Sequence, residues 1–289
     1  MANLKEIRSR ISSVSSTMQI TSAMKMVSAA KLKKAQDAIT AMRPYSEKLT
    51  ELLQNLSSTL DADSAGKYAT QRAVNNVLIV SITSNRGLAG AFNTNVIKEV
   101  RNLVQNQYSG KNVDLITLGK KGNDILKKEQ NVIQNNNEII EDLTFANVSV
   151  IAEELMKLFT EGTYDKIVLV YNSFKNAATQ IIMSEQFLPI SPKASAEEVS
   201  TTEVPYIFEP SKAEIIEELI PKSLKTQLFK ALRDSVASEH GARMTAMHKA
   251  TDNATELRDE LRLQYNKARQ AAITNEILEI VGGAEALAG

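Results

Sequence analysis

The sequence predicts an α/β protein in which the N- and C-terminal segments form a long antiparallel coiled coil and the middle of the chain forms a separate α/β domain. Three observations carry this. The breakers are concentrated centrally: five of the eleven glycines lie between Gly87 and Gly122, and four of the six prolines between Pro189 and Pro210. Both ends are almost free of them, with only Pro44 before Gly66 and only Gly241 between Pro221 and Gly282. The ends also repeat their apolar residues at alternating three- and four-residue spacing, whereas the middle alternates short β-rich runs with helical stretches.

Taken in order, residues 1–60 read as one helix. Apolar residues fall at Leu4, Ile7, Ile11, Val14 and Met18, resume at Met24 and Val27, and continue through Ala35, Ile39, Met42, Tyr45, Leu49, Leu52, Leu56 and Leu60. Such a narrow stripe is a heptad seam. About 55 helical residues rising 1.5 Å each span ~80 Å, too long to bury the stripe within a compact globule. The C-terminal segment, 211–289, carries a matching stripe of many small members: Leu224, Leu228, Ala231, Ala246, Ala250, Ala254, Leu257, Leu261, Tyr265, Ala268 and Ala272. Two such helices bury their stripes most economically against each other, and small seam residues let the backbones approach. Between them, 74–190 holds β-rich runs at Val77–Thr83, Val113–Leu118, Ile167–Tyr171 and Gln180–Phe187, separated by helical stretches at Asn93–Tyr108 and Ser149–Phe159. Strands alternating with helices imply a mostly parallel sheet, hence a Rossmann-like middle domain. Residues 191–210, rich in Ser, Thr, Pro and Glu, read as an exposed connection.

Composition excludes several functions. The 289 residues carry 34 Lys and Arg against 34 Asp and Glu, so no basic excess points to nucleic acid or an anionic membrane. With no cysteine there is no disulfide, no thiolate metal site and no thiol nucleophile. The longest apolar runs are about five residues, far short of the ~20 of a membrane helix, so direct membrane insertion is not expected. The N-terminus lacks a signal-peptide layout, and Glu6 argues against a transit peptide. Charge is nonetheless unevenly placed: residues 1–36 hold seven Lys and Arg against Glu6 alone, and residues 195–218 hold seven Glu against Lys212. A solvated charged face explains either run equally well.

No catalytic centre emerges. The loop Ser84-Asn-Arg-Gly-Leu-Ala-Gly-Ala-Phe-Asn93 sits between a strand and a helix, where phosphate sites are built, but its glycines make only G-x-x-G. Gly119-Lys-Lys-Gly122 has no Ser or Thr to hold magnesium. His240 and His248 stand eight apart without the spacing of a metal pair, and neighbouring carboxylates such as Glu153-Glu154 and Glu217-Glu218 diverge on helices. No cofactor is expected. Met18, Met24, Met26, Met244 and Met247 fit adaptable packing between the helices. Ser12, Ser15, Ser16, Thr17, Thr21 and Ser22 are unusual beside a seam meant only for stability, and suit a shaft that slides against a surrounding surface.

Three ordered stretches resemble one family, the gamma subunit of F-type ATP synthases. They are Ile7-Arg-Ser-Arg-Ile11 with Gln19-Ile-Thr-Ser-Ala-Met-Lys-Met-Val-Ser-Ala-Ala-Lys-Leu-Lys-Lys-Ala-Gln36, the loop Ser84–Asn93, and Ser238-Glu-His-Gly-Ala-Arg-Met-Thr-Ala-Met247 with Tyr265–Gly283. The loop departs from the family's S-D-R-G-L-C-G-G-F-N at Asn85, Ala89 and Ala91, which weakens any phosphate role. No insertion of the kind that carries a regulatory dithiol is seen and the absence of cysteine rules out dithiol control, which together with the expected lack of a transit peptide favours a bacterial member. The resemblance implies a central rotor that threads a hexamer of alternating alpha and beta subunits and stands, with the epsilon subunit, on the membrane rotor ring. It implies a non-catalytic subunit of a rotary ATP synthase, placed peripherally at the cytoplasmic face of the bacterial plasma membrane. Residue by residue, it assigns contact with the catalytic hexamer to Arg269, Gln270, Thr274 and Glu276, and to Met24 with the basic Lys25, Lys31, Lys33 and Lys34. It assigns the foot on the rotor ring to Tyr206 and Glu209, and an upper bearing to the apolar end Ile277–Leu287. The rival readings are an enzyme using the α/β domain, which would bind nucleotide by itself, and a passive coiled-coil tether.

Overall fold

The computed structural model describes residues 4–57, 66–190 and 212–288. The connection expected over 191–210, with Tyr206 and Glu209, lies outside the described residues. The chain divides into two compact units, one made of residues up to Ser28 together with those from Arg243 on, the other of Ala29–Ala242.

The larger unit is built on a five-stranded sheet: β1 (Asn76–Ile82), β2 (Asn112–Leu118), β3 (Asn131–Asn135), β4 (Lys166–Phe174) and β5 (Gln180–Leu188), in the order β3-β2-β1-β4-β5. The first four strands are parallel and β5 returns antiparallel to β4. α2 (Phe92–Asn102), α3 (Lys120–Leu126) and α4 (Phe145–Thr160) are the crossovers, α2 running on as a π-helical turn, Leu103–Gln107. Alternation along β1 serves two cores. Leu78, Val80 and Ile82 pack in a cluster with Leu155 and Phe159 of α4 and with Leu224, Leu228 and Leu232 of the C-terminal helix α5 (Lys212–Ala288). Val77 and Ile79 enter the other, with Val96 and Val100 of α2 and Leu126 of α3. Helices thus cover both faces, as a parallel sheet requires.

β3 and α3 are the elements the sequence does not announce. β3 is the polar run Asn131-Val-Ile-Gln-Asn135, an edge strand with only Val132 and Gln134 half-buried. α3 has seven residues, and its start explains the glycine pair resembling a phosphate loop. At Gly119 φ is +117°, and a Cβ there would lie 2.1 Å from the Thr83 carbonyl oxygen; at Gly122 one would lie 2.7 Å from Thr83 Oγ1. The pair lets the turn close on the end of β1, where the Gly122 N–H donates to Thr83 Oγ1 at 2.9 Å.

The smaller unit holds the start of α1 (Leu4–Ser57) and the later part of α5. Met18 touches Arg258 and Thr21 touches Thr251, so the two run antiparallel. Among the described side chains, a three-four seam on α1 runs Leu4, Ile7, Ile11, Val14, Met18, Thr21, Lys25, Ser28, Leu32, Ala35, Ile39 and Met42, with Leu49 further on and half-buried Ser15, Ser22, Met24, Ala29 and Ala38 beside it, whereas Tyr45, expected in the seam, is 50% exposed. This corrects the expected seam. The register does not skip to Val27, which is 56% exposed, because a steady three-four spacing keeps one face inward whatever residues occupy it. On α5 the seam runs Met247, Thr251, Ala254, Arg258, Leu261, Tyr265 and Ala268; Leu257, placed there by hydrophobicity, is 46% exposed, and Ala272 is exposed.

Candidate functional site

Four features bear on function. The first is the loop after β1. In a doubly wound sheet the ligand crevice lies at the carboxyl ends of the strands where the order reverses, here between β1 and β4. That place is filled by the chain itself. Asn172 at the end of β4 is fully buried and its Nδ2 donates to the Phe92 carbonyl at 3.0 Å, while Phe92 and Ala89 pack with Ala242 of α5. The loop's polar groups are tied inward: the Ser84 N–H donates to Asn93 Oδ1 and Ser84 Oγ to the Arg86 carbonyl. Asn85 bridges two neighbouring loops, donating to the Asn137 carbonyl and accepting from the Lys120 N–H.

The second feature is the far end of α5. From Arg269 to Ala286 every residue of the helix is exposed, including Ile273, Ile277, Leu278, Ile280 and Val281. At about 100° per residue, Arg269, Ile273, Glu276 and Ile280 share one stripe. Gln270 and Thr274 flank it one turn apart, the Thr274 hydroxyl donating to the Gln270 carbonyl at 2.9 Å. Arg269 and Glu276 thus share a stripe with Ile273 and Ile280, while Gln270 and Thr274 lie on a neighbouring face of the helix. An isolated helix of this length is marginal in water, and exposed isoleucines add no support from within.

The third is the α1 surface. Met24 is half-buried, with Ile20 and Val27 exposed beside it at 60% and 56%. Lys31, Lys33 and Lys34 are exposed; Lys31 and Lys34 lie one turn apart, and Lys33 points away from both. Lys25 differs from the other lysines in being half-buried at a seam position. The seam hydroxyls satisfy themselves by bonding to the preceding turn: Thr21 to the Met18 carbonyl, Ser28 to Met24 and Thr251 to Met247. Thr251 Oγ1 and Thr21 Oγ1 also meet at 2.8 Å, and Arg258 directs Nη1 at Met18 Sδ at 3.4 Å while bonding Asp259. Sequence reasoning missed these pairs because Thr21, Thr251 and Arg258 are polar; a steady heptad count from Met18 and Leu261 would have found them.

The fourth is a polar network between α5 and the sheet. Glu185 of β5 accepts from the Tyr171 hydroxyl at 2.8 Å on one oxygen and from Gln227 Nε2 at 2.8 Å on the other. Burial, with the Glu185 and Asp234 carboxylates nearby, holds the Tyr171 phenol far above its ordinary pKa, so it remains a donor. Of the two histidines, His248 is exposed beside Asp252 and His240 is half-buried. No described helix is long and apolar enough to cross a membrane.

Comparison with known proteins accounts for this combination of helices and sheet. The family model described as ATP synthase matches residues 3–287. An ATP synthase gamma chain of Christiangramia forsetii is 72% identical over the full length of both chains, and one of Flavobacterium psychrophilum is 71% identical, likewise over both full lengths. The fold matches a chain in the central stalk and c-ring structure of Tetrahymena thermophila mitochondrial ATP synthase, with a TM-score of 0.60 at 25% identity, covering 80% of this chain and 99% of that one. Full-length identity at this level, joined to the same architecture, establishes that the chain belongs to the ATP synthase gamma chain family.

Proposed function

We propose that this chain is the central rotary shaft of a bacterial F-type ATP synthase, coupling ion flow through the membrane rotor ring to ATP synthesis and hydrolysis in the alpha/beta hexamer. It makes and breaks no bond itself. The observation that carries this reading is the end of α5, a helix exposed on every side from Arg269 to Ala286 and studded with isoleucine and leucine. A helix of that composition is stable inside a close-fitting sleeve, which the ring of alpha and beta subunits supplies. There Arg269, Gln270, Thr274 and Glu276 engage a beta subunit, the guanidinium fork suiting a carboxylate. Met24, with Lys25, Lys31, Lys33 and Lys34, meets the hexamer lower down. Residues 1–60 and 211–289 are the shaft, 74–190 the body that stands with epsilon on the rotor ring, and Tyr206 and Glu209 in 191–210 its foot. The subunit sits peripherally on the cytoplasmic face of the plasma membrane.

Coupling follows from asymmetry. Three chemically identical catalytic sites around one asymmetric shaft each meet a different face of it, so each is biased toward a different conformation and nucleotide affinity. Turning the shaft exchanges those affinities in sequence. A shift from 1:99 to 99:1 between two states needs about 5.5 kcal/mol of differential contact, which several weak polar and apolar contacts supply jointly. The test is ATP hydrolysis by purified alpha and beta subunits with and without one equivalent of this chain, with gel filtration alongside. A stable complex with strongly raised turnover supports the shaft. Absence of a complex, with nucleotide binding by the chain alone, overturns it.

A further inference from the structure

The larger unit holds α5 by polar contacts as well as by apolar packing. Leu224, Leu228, Ala231 and Leu232 supply the buried stripe of the helix, which resists separation and any turn large enough to expose it, but contact of this kind fixes no single bond length or direction. Polar side chains flank that stripe on both sides. On one flank, Gln227 and Asp234 are seven residues apart and share a face. Gln227 Nε2 donates to Glu185 Oε1 at 2.8 Å and to the Gln186 carbonyl at 3.2 Å, and Ser173 Oγ donates to Asp234 Oδ2 at 3.3 Å. On the other flank, Lys225 Nζ pairs with Glu153 of α4 at 2.6 Å, and Arg233 Nη2 donates to the Leu143 carbonyl at 3.0 Å while its guanidinium lies 4.8 Å from the centre of the Phe229 ring.

Glu185 is the centre of the first flank. One carboxylate joins three elements: its own strand β5, the neighbouring β4 through Tyr171 Oη at 2.8 Å, and α5 through Gln227. Tyr171 is 4% exposed, so the carboxylate oxygen it bonds is held by a side chain with no room to swing. Tyr171 and Ser173 project from the same face of β4 and address Glu185 and Asp234, setting two contacts about two helical turns apart along α5. Directional contacts at separated points oppose rotation of the helix in its bed, as a single contact does not.

We propose that the Tyr171–Glu185–Gln227 bridge, with Ser173–Asp234, is the torque key of the shaft: it fixes α5 against rotation relative to the sheet, so that a load applied along the helix reaches the domain without slip. Gln227 and Glu185 are positioning residues and touch no nucleotide. This rests on the shaft reading above.

The test uses the complete synthase assembled in sealed vesicles, with ATP-driven proton uptake measured per ATP hydrolysed against an increasing opposing gradient. Gln227→Glu sets a second carboxylate against Glu185. It is expected to leave hydrolysis without a gradient within twofold of the parent and to lower uptake per ATP severalfold as the gradient rises. The exchange Glu185→Gln with Gln227→Glu restores a donor facing a carboxylate and leaves an amide oxygen for Tyr171, and should recover at least half of the loss. Leu126→Ala, a truncation in the other core cluster, should lower the melting temperature and leave uptake per ATP unchanged. If Gln227→Glu does not assemble, Gln227→Ala, which removes the donor without adding charge, is judged by the same loss under load. Uptake in the Gln227 variant equal to the parent at every gradient overturns the key, as does an equal loss in Leu126→Ala. A parent chain that assembles no pumping synthase overturns the shaft reading instead.

Discussion

The sheet domain and the paired helices of the smaller unit solve the same problem of burial with opposite materials. In the domain, Leu78, Ile79, Leu115, Leu155, Phe159 and Leu169 are buried to 1% exposure or less, and covering helices close both faces. In the paired helices, consecutive seam positions of α1 are Met18, Thr21, Lys25 and Ser28, facing a stripe on α5 that includes Thr251 and Arg258. One region is stable because it excludes water from a large apolar volume. The other gives up part of that stabilisation for contacts that specify where two helices meet, as polar residues in a coiled-coil seam do. Beyond it, the end of α5 has no internal support at all. Stability therefore declines from sheet to seam to tip, while the surface offered to partners grows.

Substitutions that act through volume should separate the regions most widely. Phe159→Ala, at a fully buried site, is expected to cost about 3–5 kcal/mol in chemical denaturation of the purified chain. Gly119→Ala should follow at roughly 2–4 kcal/mol, because its φ of +117° and the Thr83 carbonyl 2.1 Å from the new Cβ leave no relaxed position. A loss below about 1 kcal/mol at either site would erase the contrast. The tip should behave in the reverse sense: Arg269→Ala, at an exposed site, is expected to change stability by no more than about 0.5 kcal/mol. In the assembled complex it should lower ATP-driven pumping roughly tenfold, the equivalent of one charge-assisted hydrogen bond.

The seam sharpens the contrast further. Thr251→Val leaves the Thr21 hydroxyl facing a methyl and should cost about 1 kcal/mol, whereas Thr21→Val with Thr251→Val, which removes both partners, should be near neutral. Additive losses in the pair would mean the hydroxyls act only through their own helices. The smallest effect lies at the domain's edge. Asp165 accepts the Asn76 and Asn75 N–H groups at 2.9 Å each, and these bonds hold its carboxyl below its ordinary pKa. A lowered folded pKa contributes stability present above the unfolded value and lost as pH falls through the folded one. Asp165→Ala should flatten the acid limb of the stability profile slightly, since the group is well solvated.

How much of this was written in the sequence differs by region. The long helices followed from the scarcity of breakers, and four strands from their β-branched runs. β3 escaped because Asn131, Gln134 and Asn135 make it read as a loop; it is held by pairing with β2, a tertiary fact. The seam was misplaced at Val27 and Leu257 because hydrophobicity outvoted spacing, although the spacing was present in the chain. The expected contact residues of the tip rest on family resemblance alone, while the shared stripe of Arg269 and Glu276 on an exposed helix needs only the helical period. The Glu185 bridge had no sequence signal, since Tyr171, Glu185 and Gln227 are joined only when β4, β5 and α5 converge.

The exposed end of α5 also bears on how a cell makes this subunit. Before assembly, Ile273, Ile277, Leu278, Ile280 and Val281 face water on a helix with nothing beside it. A newly synthesised copy without its ring is thus sticky and open to proteases at the same place. Covering that segment is what a close-fitting partner would do, and until it is covered it is the place where a solitary copy is most prone to associate with others.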